Sequence, residues 1–281
     1  MLPVISVIVT CYNQERYIAQ CLESVLLQTD CPAFEIIVGN DCSTDHTQQI
    51  VDKYASCTDN IVVLPREKNL GMQHNLKNCF ENCKGQYIAI CEGDDYWIDQ
   101  HKLRKQYNAL SQDRQAFMCF HNIRLLINGK SEKHIPLVKK HINNHVTIQD
   151  LILTRNCVGN FSCCMYKRSA LNFIPSVYWD NTKHFDFLFN LFVLDKSSHA
   201  IYINEELSTY RIIAGSLSHR LSWPDDVIEQ IHELYDYNEL FDGRYKNEFY
   251  QLMRSYFQST ACSRRDWLKN AVTSLKNKFK F

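Results

Sequence analysis

Three carboxylates stand within four residues, at Glu92, Asp94 and Asp95, directly after an apolar run at residues 86–91. The run is short and rich in residues that suit a buried strand. An acid cluster at the end of such a strand is costly unless a positive charge neutralises it, because burial disfavours an ionised carboxyl group. Two interpretations follow: a divalent cation with hard oxygen ligands, held together with a phosphate-containing substrate, or a solvated acidic turn.

The elements that must position these acids alternate between strand and helix over the first 95 residues. Apolar residues mark helical faces between the strands, for example Ile18, Cys21, Leu22 and Val25 at i, i+3, i+4 and i+7. This alternation predicts a parallel sheet covered by helices on both faces. The predicted strands of this part are 4–10, 34–38, 61–64 and 87–91.

Polar side chains follow each of these four strands. Because the carboxyl ends of parallel strands meet at one edge of a sheet, where open α/β sheets bind ligands, we expect them to converge. Ordinary polar loops are a weaker interpretation for four such sets. The sets are Thr10, Tyr12 and Asn13; Asn40, Asp41, Ser43, Thr44 and Asp45; Arg66, Asn69 and Gly71; and the acid cluster.

The pattern loosens after Trp97, and the polar, basic segment 129–146 is predicted to be a surface loop or flap. The fold class that follows is α/β, with a mostly parallel sheet and a C-terminal helical extension, divided into domains 1–220 and 221–281. The remaining predicted elements are helices at 102–110 and 184–194, one or two strands at 116–127, short strands at 162–166 and 200–203, and helices from residue 225 onward.

The composition excludes several classes. With 31 basic and 31 acidic side chains the formal net charge is zero, which argues against a nucleic-acid partner. No apolar stretch approaches the roughly 18 residues that span a bilayer, and no signal peptide is expected.

Most of the 13 cysteines lie in apolar runs and suit a reducing, cytoplasmic setting. His141 and His145 lack the glutamate of a zinc-protease helix and predict no metal site alone.

Motifs that are missing from the sequence argue against a dinucleotide-binding oxidoreductase, a P-loop enzyme and an aspartyl-nucleophile phosphatase. The chain has no GxGxxG after its first strand and no GxxxxGK[ST], and Thr10 stands where an aspartyl-nucleophile phosphatase needs aspartate. Tyr12 can stack on a pyrimidine, and the Asp41 carboxylate can accept the ring N–H of uracil. A metal at Asp94 or Asp95 can bridge a diphosphate.

With these features the chain resembles the family 2 glycosyltransferases of the GT-A (Rossmann-like) fold. The resemblance implies inverting transfer of a hexosyl or N-acetylhexosaminyl group from a nucleotide-sugar, usually a UDP-sugar, to a hydroxyl of a saccharide or lipid-linked acceptor in surface polysaccharide synthesis. A non-catalytic nucleotide-sugar-binding relative is the alternative. The matching stretches, in the family's order, are 6–13, 35–45, 69–71, 85–97, 184–188 and 210–216.

The resemblance also implies roles for single residues. Glu92, Asp94 and Asp95 correspond to the family's DxD motif, with Asp94 and Asp95 as ligands of Mn²⁺ or Mg²⁺. Glu92 replaces the commoner aspartate, so its longer arm is expected to reach the ribose or a water. Arg211 belongs to the family's Tyr-Arg pair, and Asn40 replaces the first of two aspartates. The nucleotide-binding set is Thr10, Tyr12, Asn13, Asp41, Asn69, Glu92 and Asp94.

Asp186 is the candidate catalytic base that takes the proton of the acceptor hydroxyl. It stands among Phe185, Phe187 and Phe189 at the start of an apolar helix and occupies the family's base position. From its position alone, Asp186 would be interpreted as an acid that stabilises the helix N-terminus through the helix dipole. The resemblance to the family favours the catalytic role instead.

The C-terminal tail has an apolar face with lysines around it. Such a helix suits an anionic membrane at the inner face of the plasma membrane, or a docking face on its own protein or a dimer partner. Both interpretations stay open. The apolar face is Trp267, Leu268, Ala271, Val272, Leu275 and Phe279, and the lysines are Lys269, Lys276, Lys278 and Lys280.

Overall fold

The computed structural model describes residues 2–127, 129–131, 138, 144–180, 185–213 and 225–261. They belong to two compact units, one of Met1–Ile148 with Asn156–Ile213 and one of Gln149–Arg155 with Ala214–Phe281. The predicted domain boundary at residue 220 lies outside the described residues and stays a prediction.

A mixed sheet, with ten strands among the described residues, forms the centre of the first unit. Along the sheet the order is β3-β2-β1-β4-β9-β6-β10-β5, with β7 beside β6 and β8 beside β10. The strands are β1 Ile5–Cys11, β2 Phe34–Asn40, β3 Ile61–Val63, β4 Tyr87–Ile90, β5 Tyr96–Trp97, β6 Ala116–Ile127, β7 Lys130–Ser131, β8 His145–Val146, β9 Cys164–Lys167 and β10 His199–Ile212.

The helices follow the predicted pattern, and the apolar face of the first one, at Ile18, Cys21, Leu22 and Val25, is buried. The α-helices are α1 Ile18–Leu26, α2 Thr47–Ala55, α3 Met72–Asn82, α4 Lys102–Gln112, α5 Ile148–Leu153, α6 Phe185–Asp195, α7 Asp225–Leu240 and α8 Lys246–Ala261. Short 3₁₀ helices cover Phe161–Cys163, Arg168–Phe173 and Ser176–Trp179.

The first four strands are parallel, with β1 between β2 and β4 and with β3 beside β2. Strand β9 is antiparallel to both β4 and β6, so β6 runs in the same direction as β4, and β10 is parallel to β6. The α/β fold class is therefore confirmed, with a sheet that becomes mixed after β4. The prediction of a strand ending at residue 203 was wrong, since β10 continues to Ile212.

A buried polar contact holds β4 against β1 and so sets the position of the acid cluster. The Ser6 hydroxyl donates to Glu35 Oε1 at 2.6 Å, and the Gly85 N–H donates to Ser6 Oγ at 2.8 Å. A Cβ on Gly85 would lie 2.5 Å from the backbone nitrogen of Ser6, so only glycine permits this approach.

The second unit contains α7 and α8. The rings of Phe241 and Phe249 lie with centroids 6.5 Å apart, and the Arg155 guanidinium stands 3.8 Å from the ring centroid of Tyr256. In the part of the chain that the structure describes, no helix has the length and apolar character needed to cross a bilayer. The predicted basic tail lies outside the described residues.

Candidate functional site

The loops that follow β1 and β2 are tied together by hydrogen bonds. The Asn13 N–H donates to Ser43 Oγ at 2.9 Å, and the Thr44 N–H donates to Asn13 Oδ1 at 2.7 Å. Asn13 has φ 54°, a left-handed conformation that asparagine adopts more readily than most residues. Asn13 therefore shapes this edge of the sheet through both its backbone and its side chain.

Asp41 follows β2 and is 3% exposed. Its carboxylate accepts the N–H of Leu70 at 2.7 Å on Oδ1 and the N–H of Gly71 at 2.8 Å on Oδ2. The Asn69 amide donates to the Asp41 carbonyl at 2.9 Å. Two of the predicted nucleotide-binding residues thus meet. Each carboxylate oxygen has a second lone pair, so Asp41 keeps the capacity to accept a ligand N–H.

Thr10 and Tyr12 lie at the end of β1 on the same edge. Tyr12 is about half in solvent, with 48% of the residue exposed, so its ring is accessible to a planar ligand. The Thr10 carbonyl accepts the N–H of Gly93 at 2.9 Å. That bond connects the end of β1 to the acid cluster.

The acid cluster forms a tight turn directly after β4. The Asp95 N–H donates to the Glu92 carbonyl at 2.8 Å, and the Glu92 N–H donates to Ser162 Oγ at 3.0 Å. A Cβ on Gly93 would lie 2.9 Å from Cys11 Cβ and 3.0 Å from the Thr10 carbonyl oxygen, neither of which can move away easily. Glycine is therefore required for the turn to pack against the end of β1.

Asn160 joins two of the three acids. Its amide donates to Asp95 Oδ2 at 2.6 Å and to Glu92 Oε2 at 3.1 Å. The other oxygen of Asp95 accepts the backbone N–H of Arg211 at 2.9 Å. Asp95 is fully buried, and Glu92 and Asp94 are half-buried.

The electrostatics of the cluster disfavour full ionisation. Burial raises the pKa of Glu92 well above its usual range, and the charges of Asp95, Asp94 and Asp186 raise it further. Burial and the charge of Asp94 raise the pKa of Asp95 to about 7, although the groups of Ser162, Arg211 and Asn160 that hydrogen-bond to it favour the ionised form. Burial also raises the pKa of Asp94. Without a cation, the cluster holds more negative charge than its surroundings stabilise.

These acids fit a divalent cation. They offer hard oxygen ligands of the kind that Mg²⁺ and Mn²⁺ prefer. The Asp94 carboxylate accepts its own backbone N–H, and the nearby Arg211 guanidinium also favours its ionised form. A cation held by Asp94 would also relieve the repulsion that raises the pKa values of Glu92 and Asp95.

Arg211, near the end of β10, contacts the backbone of the acid turn. Its Nε donates to the Asp94 carbonyl at 2.6 Å, and its terminal nitrogen donates to Gln20. The guanidinium lies 5.0 Å from the ring centroid of Tyr17 and 4.8 Å from that of Tyr96. Arg211 therefore contacts the backbone of the turn and stacks between two aromatic rings.

Asp186 lies in the first turn of α6 and is half-buried. Its Oδ1 accepts the N–H of Phe187 at 2.8 Å, and Asn156 Nδ2 lies 3.4 Å from its Oδ2. Its charge contributes to the raised pKa of Glu92, so Asp186 is close to the acid cluster although 94 positions away in the chain.

The structure thus gathers the predicted residues in two groups at the carboxyl edge of the sheet. The group around Asp41, predicted to hold the nucleobase, is called the base-side group. The acid group consists of the acid cluster and Asp186. Asn156, Asn160 and Ser162, which contact the acids, were not predicted as ligands of them. They lie outside any recognised motif, since a lone asparagine or serine in a loop carries no sequence signal.

An open α/β sheet with an acid turn at the end of a strand and a second carboxylate beyond it matches the GT-A glycosyltransferase arrangement that the sequence resemblance predicts. The family described as Glycosyl transferase family 2 matches residues 6–174, and the chain belongs to it.

Two relatives show how the match extends. A Mycobacterium tuberculosis protein without an assigned function is 32% identical over 174 residues, which is 61% of this chain and 49% of that protein. A Bacillus subtilis protein provisionally named teichuronic acid biosynthesis glycosyltransferase TuaG is 31% identical over 219 residues, 77% of this chain and 82% of that protein. The chain thus spans about half the length of the mycobacterial relative.

Solved structures share the fold. Staphylococcus aureus TarS residues 1–349 in complex with UDP-GlcNAc superposes with a TM-score of 0.62 at 24% identity, over 81% of this chain and 64% of that one. The mannosyltransferase PcManGT from Pyrobaculum calidifontis, in complex with GDP-Man and Mn²⁺, gives 0.64 at 15% identity, over 98% and 81%. At these identities the likeness is one of fold.

Proposed function

We propose that this chain transfers a sugar from a UDP-sugar to a hydroxyl of a saccharide or lipid-linked saccharide, with inversion at the anomeric carbon, in cell-surface polysaccharide synthesis. The observation that carries the proposal is the placement of Asp41, the acid cluster and Asp186 on one edge of one sheet. Family membership and the provisional name of the TuaG relative support the surface-polymer context.

The base-side group would hold the nucleoside. Asp41 is already fixed by two backbone N–H groups, so it can accept the uracil N–H without rearrangement. Tyr12 would stack on the base, and Asn13 and Asn69 would keep the surrounding loops in place. Thr10 lies where the two groups meet.

The acid group would hold the diphosphate through a divalent cation. Asp94 is the main ligand in this proposal, with Asp95 beside it, and Mn²⁺ or Mg²⁺ suits these oxygens. When bound, the ion would stabilise the negative charge that develops on the leaving diphosphate. Glu92, hydrogen-bonded to Asn160, would face the ribose, and Arg211 would keep the turn in position.

Asp186 would take the proton of the acceptor hydroxyl. Its carboxylate is oriented by the Phe187 N–H and by Asn156, and it lies at a helix N-terminus among buried phenylalanines. Proton transfer by a positioned carboxylate contributes roughly 10²–10⁴-fold to a rate. The acid cluster and the base are therefore assigned different tasks on neighbouring surfaces.

The test is incubation of the chain with a panel of nucleotide-sugars and Mn²⁺, with release of the nucleotide as the readout. We expect slow hydrolysis of one UDP-sugar, abolished in Asp186→Asn. Binding of a UDP-sugar without any turnover, even with candidate acceptors present, would instead identify a non-catalytic relative. No binding of any nucleotide-sugar would refute the proposal.

A further inference from the structure

A second group of metal-ligating side chains lies at the opposite edge of the same sheet. Asp113, His145 and His199 each present one ligand atom, and these atoms all lie within 4.8 Å of one another. His199 begins β10, and Asp113 precedes β6. Because β6 and β10 run in the same direction as β1 and β4, their amino ends are at the edge away from the acid cluster.

Two of the three side chains are fixed in place. Asp113 Oδ1 accepts the N–H groups of Gln115 at 2.8 Å and Ala116 at 3.1 Å, which leaves Oδ2 directed at His199 Nε2, 2.9 Å away. His199 is 8% exposed and lies opposite Ala116 in the strand register. A carboxylate and an imidazole are thus held within contact distance by the backbone of two adjoining strands.

The third side chain supplies access. His145 begins β8, which pairs with β10 so that His145 lies opposite Ile201. It is exposed, and its ring stacks on His199 with centroids 3.9 Å apart and an angle of 18° between planes. Stacked rings cannot both direct an in-plane lone pair at one ion, so His145 must rotate. An exposed side chain can change rotamer at low cost.

We propose that Asp113, His145 and His199 bind one divalent transition-metal ion of the Zn²⁺ type. Two imidazoles and one carboxylate are a donor set that suits zinc, with bonds of about 2.0–2.2 Å. The Asp113 and His199 atoms are joined by a hydrogen bond of 2.9 Å. They would move apart to about 3.3–3.6 Å in a tetrahedral zinc shell with bonds of that length. The ion would connect the α4–β6 loop, β8 and the start of β10.

This site is independent of the proposed glycosyl transfer. It shares no residue with the acid cluster, and its imidazole donors prefer a softer ion than the oxygen ligands there. Its expected consequence is stabilisation of the folded chain, because an ion that binds only the folded state raises the free energy of unfolding.

The test is titration of the metal-free full chain with Zn²⁺ against a chromophoric chelator, comparing wild type with His145→Ala. We expect His145→Ala to lose one equivalent of Zn²⁺ or to bind it at least about tenfold more weakly. The control is His46→Ala, which removes an exposed histidine 2.8 Å from Glu15. Among the residues that the structure describes, His46 belongs to no three-ligand group. Equal zinc binding by wild type and His145→Ala would overturn the proposal.

Cysteine thiolates also bind zinc, so the ligand type is checked with Co²⁺. We expect wild type to show visible bands without sulfur-to-cobalt charge transfer, and these bands to disappear in His145→Ala but not in His46→Ala. Bands that are carried by sulfur and unaffected by His145→Ala would assign the metal to cysteines and refute the site. His199→Gln is a second variant, with its thermal midpoint measured because this side chain is buried.

Discussion

Asp41 and Asp95 are both buried acids at carboxyl ends of parallel strands, 3% and 0% exposed, yet their surroundings differ. Asp41 has a backbone N–H on each oxygen, from Leu70 and Gly71. Asp95 has one backbone N–H, one side-chain amide and the Ser162 hydroxyl as partners. It stands beside Asp94, whose charge adds to burial in raising the pKa of Asp95 to about 7.

The difference separates two proposed tasks along one edge of the sheet: binding of the nucleobase, and stabilisation of the diphosphate during transfer. Backbone N–H groups satisfy a carboxylate locally, so the base side is complete before any ligand arrives. On the acid side, burial and mutual repulsion disfavour the ionised carboxylates, and a cation or protons would offset that charge. A diphosphate accompanied by a divalent cation suits the acid side, and an uncharged base suits the other.

The largest expected effect is at Asp186, the proposed catalytic base, which belongs to the acid group. Asp186→Asn keeps the shape of the side chain and its contact with the Phe187 N–H but cannot accept the acceptor's proton. We expect kcat to fall by roughly 10²–10⁴-fold while UDP affinity stays the same. Initial rates of nucleotide release, with calorimetric UDP binding as the control, check this. Near-normal turnover would remove Asp186 from the mechanism.

A smaller loss is expected on the base side. Asp41→Asn places an amide N–H₂ against the N–H of Leu70 or Gly71, which costs about 1–3 kcal/mol of stability at a buried group. UDP binding should weaken by the same factor with and without Mn²⁺, because this end does not need the ion. A loss that appears only with Mn²⁺ would contradict the separation of the two ends.

Tyr12→Ala tests the base side without disturbing the loops. Stacking of a base on an aromatic ring is worth about 1–3 kcal/mol, and the ring here is half in solvent. We expect UDP affinity to fall by about tenfold and Tyr12→Phe to retain it, as measured by calorimetry. If Tyr12→Ala binds UDP as wild type does, the base does not stack there.

The smallest effect is a dependence on pH. The folded-state pKa of Asp95 is raised from 3.8 to about 7, and that of Glu92 is also raised, so the folded chain holds protons that the unfolded chain releases. The stability they contribute is present below about pH 4 and is lost as the pH rises through about 7.

Mn²⁺ should replace those protons. We expect it to raise the thermal midpoint by a few degrees more at pH 8 than at pH 5, since protons compete for the carboxylates at the lower pH. Asp95→Asn should reduce the difference between the two pH values. An equal shift at both pH values would show that the ion binds elsewhere.

The first half of the fold could be predicted from the sequence because its signals are local. The strand and helix periods over residues 4–91 are repeated within short windows, and the polar sets follow directly. The long β6–β10 pair could not be predicted, since β10 pairs with a strand more than 70 residues earlier and contains register shifts. Its length is decided by tertiary pairing.

The candidate site divides in the same way. Asp94, Asp95 and Asp41 stand in motifs and could be named from the sequence. Asn160 contacts Asp95 across 65 positions and has no motif around it. Asp113, His145 and His199 are brought together only by the pairing of β8 and β10 and by the start of β6. In the sequence His145 stands near only one other candidate ligand, His141, and that spacing carries little weight as a metal motif.

The most direct test of the central claim is calorimetric titration of UDP into wild type and Asp94→Asn, each with Mn²⁺ and with EDTA. The account predicts that Mn²⁺ tightens UDP binding to wild type at least about tenfold and that Asp94→Asn removes this gain while keeping the affinity measured in EDTA. UDP binding that is unchanged by Mn²⁺, or a gain that persists in Asp94→Asn, would contradict it.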